Sequence, residues 1–163
     1  MIARRKIKSL DELAAIREQV GSRGGKVVFT NGCFDILHVG HVRYLEEARG
    51  LGDVLVVAVN TDGSVRRIKG PDRPVVPEND RAELVAALEC VDYVTLFDTP
   101  DPLPLIRRLL PDFLVKGADW PVDRIVGAEE VRRAGGQVAT IEMVPDHSTS
   151  DVIRKIAERF GRK

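Results

Sequence analysis

Two histidines, His38 and His41, flank a glycine in the segment Thr30-Asn31-Gly32-Cys33-Phe34-Asp35-Ile36-Leu37-His38-Val39-Gly40-His41. An imidazole N–H donates to phosphate oxygen, and residues three apart on a helix share one face. Ahead of the pair runs the apolar, β-branched stretch Lys26-Val27-Val28-Phe29-Thr30, and behind it Val42, Leu45, Ala48 and Leu51 follow a helical pattern. A strand therefore feeds a glycine-containing loop and then a helix N-terminus. Backbone N–H groups and the positive end of the helix dipole converge there, which suits phosphate. Gly40 lacks a β-carbon, so a nucleotide can lie against its backbone, with both imidazoles donating to an α-phosphate. The plainer alternative is a pair of partly exposed histidines at a helix start. The preceding Asn31-Gly32-Cys33-Phe34-Asp35 on the same turn favours the phosphate site.

Three further clusters could serve such a ligand. Lys69 and Arg73 lie in the Pro/Gly-containing stretch Lys69-Gly70-Pro71-Asp72-Arg73-Pro74, as neutralisers of β- and γ-phosphates or as a solvated loop. Lys116-Gly117-Ala118-Asp119-Trp120 follows Asp112-Phe113-Leu114-Val115; the indole offers a flat wall and the carboxylate an acceptor for a polyol, or the ring simply anchors the loop. Ser148-Thr149-Ser150-Asp151 reads as an N-cap with a reciprocal acid, and the same hydroxyls and free N–H groups make a second phosphate cradle. Arg154, one turn on, is within reach of it. Cys33 reads as a small residue permitting a tight loop rather than a reactive thiol.

The elements that must position these groups alternate along the chain. Ser9 and Glu12 form a capping-box pattern before an amphipathic helix over 9–20, which Gly21-Ser22-Arg23-Gly24-Gly25 breaks. A strand over 26–30 and a helix to about Arg49 follow, ended by Gly50-Leu51-Gly52 as a glycine C-cap. Asp53–Asn60 is an apolar run of the kind found in parallel strands covered on both faces. Thr61 to Asn79 reads as a polar loop. Helices are expected over 80–89, 102–109, 122–134 and 149–160, and strands over 92–97, 112–116 and 137–143. The pattern predicts an α/β fold, a Rossmann-like doubly wound parallel sheet of five strands with helices on both faces. The polar loops 30–38, 60–79, 116–121 and 144–149 all follow strands, which places them at the sheet rim where ligands bind.

Composition adds bounds. At 163 residues with 25 basic and 25 acidic side chains, there is no electrostatic footprint for nucleic acid or an anionic membrane. No run approaches the ~20 apolar residues of a membrane span. The amino-terminal basic residues precede no apolar stretch, and Cys33 and Cys90 show neither disulfide nor metal spacing. A cytoplasmic protein of one domain is expected, with no metal site of its own.

Taken together, these blocks resemble the cytidylyltransferase-like nucleotidyltransferases, and within them the D-glycero-D-manno-heptose 1-phosphate adenylyltransferases. The resemblance runs from about Leu10 to Ile156 and rests on four ordered groups. These are Thr30–Asp35 with His38 and His41; Val59-Asn60-Thr61-Asp62 with Lys69–Pro74; Leu114–Trp120; and Ser148–Ser150. It implies a single nucleotidyltransferase domain over 1–163, with a catalytic core over about 26–160. It implies Mg²⁺-dependent transfer of AMP from ATP to a sugar 1-phosphate, releasing pyrophosphate. His38, His41 and Lys69 would be catalytic. ATP would meet Thr30, Asn31, Gly32, Cys33, Phe34, Asp35, Gly40, Gly117, Ser148, Thr149 and Ser150 beside them. Asp62, Arg73, Arg81, Lys116, Asp119 and Trp120 would face the sugar phosphate. A homodimer is expected, with the sugar kinase a separate protein.

The runner-up, glycerol 3-phosphate cytidylyltransferase, resembles Arg-Thr-x-Gly-Ile-Ser-Thr-Thr before the last helix. Here Pro145-Asp146-His147 stands before Ser148, without that arginine and glycine. Short length and neutral charge oppose an aminoacyl-tRNA synthetase fragment. The paired histidines oppose a non-catalytic nucleotide-binding module, and no Gly-x-Gly-x-x-Gly follows the first strand to support a dehydrogenase.

Overall fold

A computed structural model describes residues 2–118, 120–121, 124–142, 144–145 and 147–161. Ser9 caps the first helix, α1 (Leu10–Ser22): its hydroxyl accepts from the Glu12 amide while the Glu12 carboxylate takes the Ser9 N–H. The order continues as β1 (Val27–Gly32), α2 (Val39–Arg49), β2 (Val54–Asn60), α3 (Asp62–Lys69), α4 (Glu78–Ala87) and β3 (Tyr93–Phe97). Then come α5 (Leu103–Leu109), β4 (Phe113–Gly117), α6 (Ala128–Arg133), β5 (Gln137–Ile141) and α7 (Thr149–Phe160).

The five strands pair in the order β3-β2-β1-β4-β5, all parallel. Period-2 alternation splits the core in two. Val28, Leu55, Val57 and Val59 face Leu45 and Ala48 of α2 and Ala82 and Val85 of α4. Val27, Phe29, Val56 and Ala58 face Leu13 of α1, Ile106 and Leu109 of α5 and Val131 of α6. Burying each such aliphatic side chain stabilises the fold by about 1.5–3 kcal/mol. Successive strands first run outward from β1 to β3, then restart on the other side of β1 at β4. The crevice beyond the carboxyl ends of β1 and β4 is the switch point where such sheets bind ligands.

Several expectations need correction. The polar loop over 61–79 contains α3, capped by Thr61, whose hydroxyl accepts from the Ser64 amide. Only Val65 and Ile68 among its eight residues are large and apolar, too few to show a helical period. Gly50 is the C-cap of α2 in a right-handed conformation (φ −63°), not the left-handed one expected of glycine. Helix α4 starts at Glu78 and ends at Ala87, two residues earlier than read. Of the helix expected around 122–134, Ala128–Arg133 forms α6. At the amino end a 3-10 turn, Ala3–Lys6, leads to Ile7, which bridges to Val94 on the free side of β3. Among the described residues, no helix is long and apolar enough to cross a membrane.

Candidate active site

A cavity of about 590 Å³ opens over the carboxyl ends of the strands. The loop after β1 supplies its floor. Phe34 adopts a left-handed conformation (φ 47°), which strains a bulky side chain and tucks its ring under the histidines. Its centroid lies 5.2 Å from that of His41. His38 is the N-cap of α2, and His41 sits in the first turn. The two imidazoles stack with centroids 3.8 Å apart. Gly40 lies beneath them: a β-carbon there would approach His38 Nδ1 to 2.9 Å and Cε1 to 3.0 Å. Glycine is thus needed for close packing under His38, a requirement the sequence did not show.

Both imidazoles of the stacked pair are biased toward the neutral form. Burial, then the neighbouring His38, pushes His41 down to about 4; burial, then His147, lowers His38. The buried Nδ1 atoms of both rings and Oδ1 of Asn31 have no hydrogen-bond partner. Buried polar atoms are rarely left in that state, and three around one cavity mark a place built for a polar ligand.

The wall opposite comes from α7. Ser148 caps it, accepting from the Asp151 amide and donating to the Asp151 carboxylate. Thr149 Oγ1 donates to the Ile36 carbonyl (3.3 Å), tying the last helix to the histidine loop across 113 residues of sequence. The structure therefore brings His38, His41, Ser148, Thr149 and Ser150 to one cavity, as the loop positions required. Asn31, Gly32, Cys33, Phe34, Asp35, Lys69, Arg73, Lys116 and Trp120 line it as well. Lys116 donates to the Asn31 carbonyl (3.1 Å) and lies 5.9 Å from the Trp120 ring centroid. Burial pushes the Cys33 thiol up, despite the nearby Lys69 and Arg81 cations, so it is kept as a neutral small side chain.

Other candidates have different work. Thr30 is fully buried, its hydroxyl 2.7 Å from that of Tyr44, and does not line the cavity. Gly117 ends β4 opposite Ile141 and does not itself line the cavity, though its carbonyl accepts from the amide of Trp120, which does. Arg81 is 0% exposed and spends its guanidinium on the Val76 carbonyl (2.8 Å), the Cys33 carbonyl (2.5 Å) and Asp62 (2.7 Å). Neither Arg81 nor Asp62 reaches the cavity. Asp35 lines it but is occupied: Arg73 Nε and the Val75 and Val76 amides all donate to its carboxylate. Burial works against that charge, yet the Val76 amide and Arg73 outweigh it and hold the carboxyl below its usual value. These two arginines bind the loop 70–77 to the loop 31–35, Arg73 from the cavity wall and Arg81 from behind it. Asp119 lies outside the described residues.

The cavity also has walls that sequence reading missed: Asn60 and Ile68, Phe97 with Pro100, Asp101 and Pro102, Ile125 with Val126, and His147. Asn60 and Phe97 end β2 and β3, so their place followed from the sheet rim alone. The apolar members carry no chemical mark of a site.

Comparison with known proteins agrees with this geometry. The cytidylyltransferase-like family matches residues 29–155. The bifunctional protein HldE of Citrifermentans bemidjiense is 56% identical over 155 residues, 95% of this chain and 32% of that protein. The protein of the same name from Geotalea uraniireducens is 54% identical over 151 residues, 93% of this chain and 31% of that protein. The chain thus spans roughly a third of these relatives' length. The crystal structure of the lipopolysaccharide core biosynthesis protein from Thermoplasma volcanium GSS1 matches with a TM-score of 0.61 at 34% identity, over 74% of this chain and 98% of that one. With the match from Phe29 to Lys155 taking in both the histidine loop and the Ser148 cap, the chain belongs to the cytidylyltransferase-like family.

Proposed function

We propose that this chain is a nucleotidyltransferase that moves AMP from ATP to D-glycero-D-manno-heptose 1-phosphate, giving ADP-heptose and pyrophosphate. The observation that carries it is the stacked His38–His41 pair facing Ser148–Ser150 in one cavity. Family membership supports the class of reaction, and the description of the Thermoplasma volcanium protein supports a sugar acceptor.

The chemistry asks little of the protein beyond positioning. An oxygen of the sugar phosphate bonds to the α-phosphorus in line, the bond from that phosphorus to the bridging oxygen breaks, and pyrophosphate departs with the electron pair. Donors aimed at the charge that develops stabilise the transition state. His38 and His41 take the α-phosphate, Lys69 adds positive charge at the leaving group, and the Ser148–Ser150 hydroxyls hold the triphosphate tail. Lys116 and Trp120 serve the acceptor. Arg73, Arg81, Asp35 and Asp62 act by shaping the loops. Of the lining carboxylates, Asp35 is engaged by Arg73 and two amides and Asp101 accepts from the Leu103 amide, so Mg²⁺ would come with the nucleotide and supply charge neutralisation. The acceptor arrives phosphorylated, so a sugar kinase must precede this step; a cytoplasmic homodimer, assayed by sedimentation, completes the reading.

The test is pyrophosphate release from purified protein given Mg²⁺, one of four nucleotides and one of several sugar 1-phosphates. ATP with the heptose phosphate should be the productive pair. Turnover with CTP and glycerol 3-phosphate alone would replace the substrate assignment, and nucleotide binding without any turnover would leave a binding module.

A further inference from the structure

The mechanism above uses two of the chain's three histidines, and the third stands in the same cavity. His147 follows β5 and immediately precedes Ser148, the N-cap of α7. Its Nδ1 lies 2.6 Å from the Pro145 carbonyl oxygen, which can only accept, so Nδ1 carries the proton. On a neutral ring Nε2 is then an acceptor; on the imidazolium it becomes a second donor.

The loops bearing His38 and His147 meet over one glycine. A β-carbon on Gly40 would come within 2.9 Å of His38 Nδ1 and 3.3 Å of His147 Cβ. Three imidazoles therefore share one end of the cavity, and the charge of one disfavours charge on the next. The remaining charged or titratable groups of the lining are Lys69, Arg73, Lys116, Cys33, Asp35 and Asp101. Asp35 is taken by Arg73, and Asp101 accepts from the Leu103 amide. On α7, Asp151 is bound by Ser148 and Arg154, whose other partner is Glu158. With Asp35, Asp101 and Asp151 engaged elsewhere, an anion would be the natural partner for a charged His147 ring beside a pair biased toward the neutral form.

We infer, resting on the nucleotidyl-transfer reading, that His147 is a further phosphate-binding residue, donating from Nε2 to the terminal phosphates of the nucleotide and to pyrophosphate after it has left. It lies outside the His-x-Gly-His and Ser/Thr blocks. Because Nδ1 is already committed to Pro145, donation from Nε2 requires the imidazolium, so binding takes up a proton from solvent. The share of the affinity that His147 contributes, read as the difference between wild type and variant at one pH so that the protonation of pyrophosphate cancels, is therefore larger at pH 6 than at pH 8.

Titration calorimetry with inorganic pyrophosphate, at both pH values, tests this on the whole chain with His147→Ala and His147→Gln. Loss of one charge-assisted hydrogen bond should weaken binding about tenfold at pH 6 in His147→Ala. The effect should be smaller at pH 8, and KM for ATP should rise more than kcat falls. Glutamine keeps a neutral donor, so that variant should at least match wild type at pH 8 and fall below it at pH 6. Equal affinities for wild type and both variants would overturn the role of His147 while leaving the nucleotide site standing. Absence of pyrophosphate and ATP binding by the wild type would overturn both.

Discussion

Replacing Arg81 by methionine isolates what a buried cation contributes when it never meets the ligand. Methionine preserves most of the aliphatic stem and removes the guanidinium, which is 0% exposed. The carbonyls of Cys33 and Val76 then lose a charged donor inside the protein, at about 1–2 kcal/mol each. Asp62 loses its ion-pair partner, but its side chain is 26% exposed and rehydrates in part, so about 1 kcal/mol is a fair allowance. The sum, about 3–5 kcal/mol, is a large share of the 5–15 kcal/mol typical of a whole domain. With a urea slope of about 2 kcal/mol per molar, the unfolding midpoint should fall by about 1.5–2.5 M, read by circular dichroism. Arg81→Lys keeps the charge but cannot span three acceptors, and should recover less than half of the loss. A midpoint within about 0.3 M of wild type for Arg81→Met would refute the reasoning, because the network would then carry no net stability.

Three other outcomes follow from the cavity. His41→Ala should lower kcat about 10²-fold in steady-state assays while ATP still binds, as expected for loss of a preorganised transition-state donor. Gly40→Ala should leave urea stability near wild type, since alanine favours the helix by about 1 kcal/mol, yet cut kcat by pushing the His38 ring from its seat. The third outcome concerns pH. Folded His41 resists protonation down to about 4, whereas an unfolded imidazole titrates near pH 6.5. Between those values the unfolded chain binds the extra proton, so ligand-free stability should fall on acidification through that window, by at most about 3 kcal/mol. His41→Gln should flatten the fall in urea midpoints measured from pH 7 to pH 4.

Sheet and helices were legible because their burial is periodic: Asp53–Asn60 reads as a strand covered on both faces, and β2 is one. Helix α3 escaped because two apolar residues in eight set no period. The histidine loop and the Ser148 cap were legible because glycine, imidazole and hydroxyl groups at a helix start have few other uses. Direction was not legible. Asp35 and Arg81 carry the charge expected of phosphate-site residues, yet both turn inward to tie loops that are 38 and 48 residues apart. A side chain's type does not reveal which of two nearby acceptors it faces; only the packed loops decide that. The apolar wall of Phe97, Pro100, Pro102 and Ile125 went unseen for the opposite reason, being indistinguishable from core in one dimension.

The hydroxyl trio rides on an unusual support. Helix α7 buries none of its residues; Ile156 and Phe160 are exposed, and Val152 and Ile153 are half-covered. One bond from Thr149 to the Ile36 carbonyl helps moor its first turn. Loosening that helix costs far less than breaching the sheet, so the hydroxyl wall yields more readily than the histidine floor it faces.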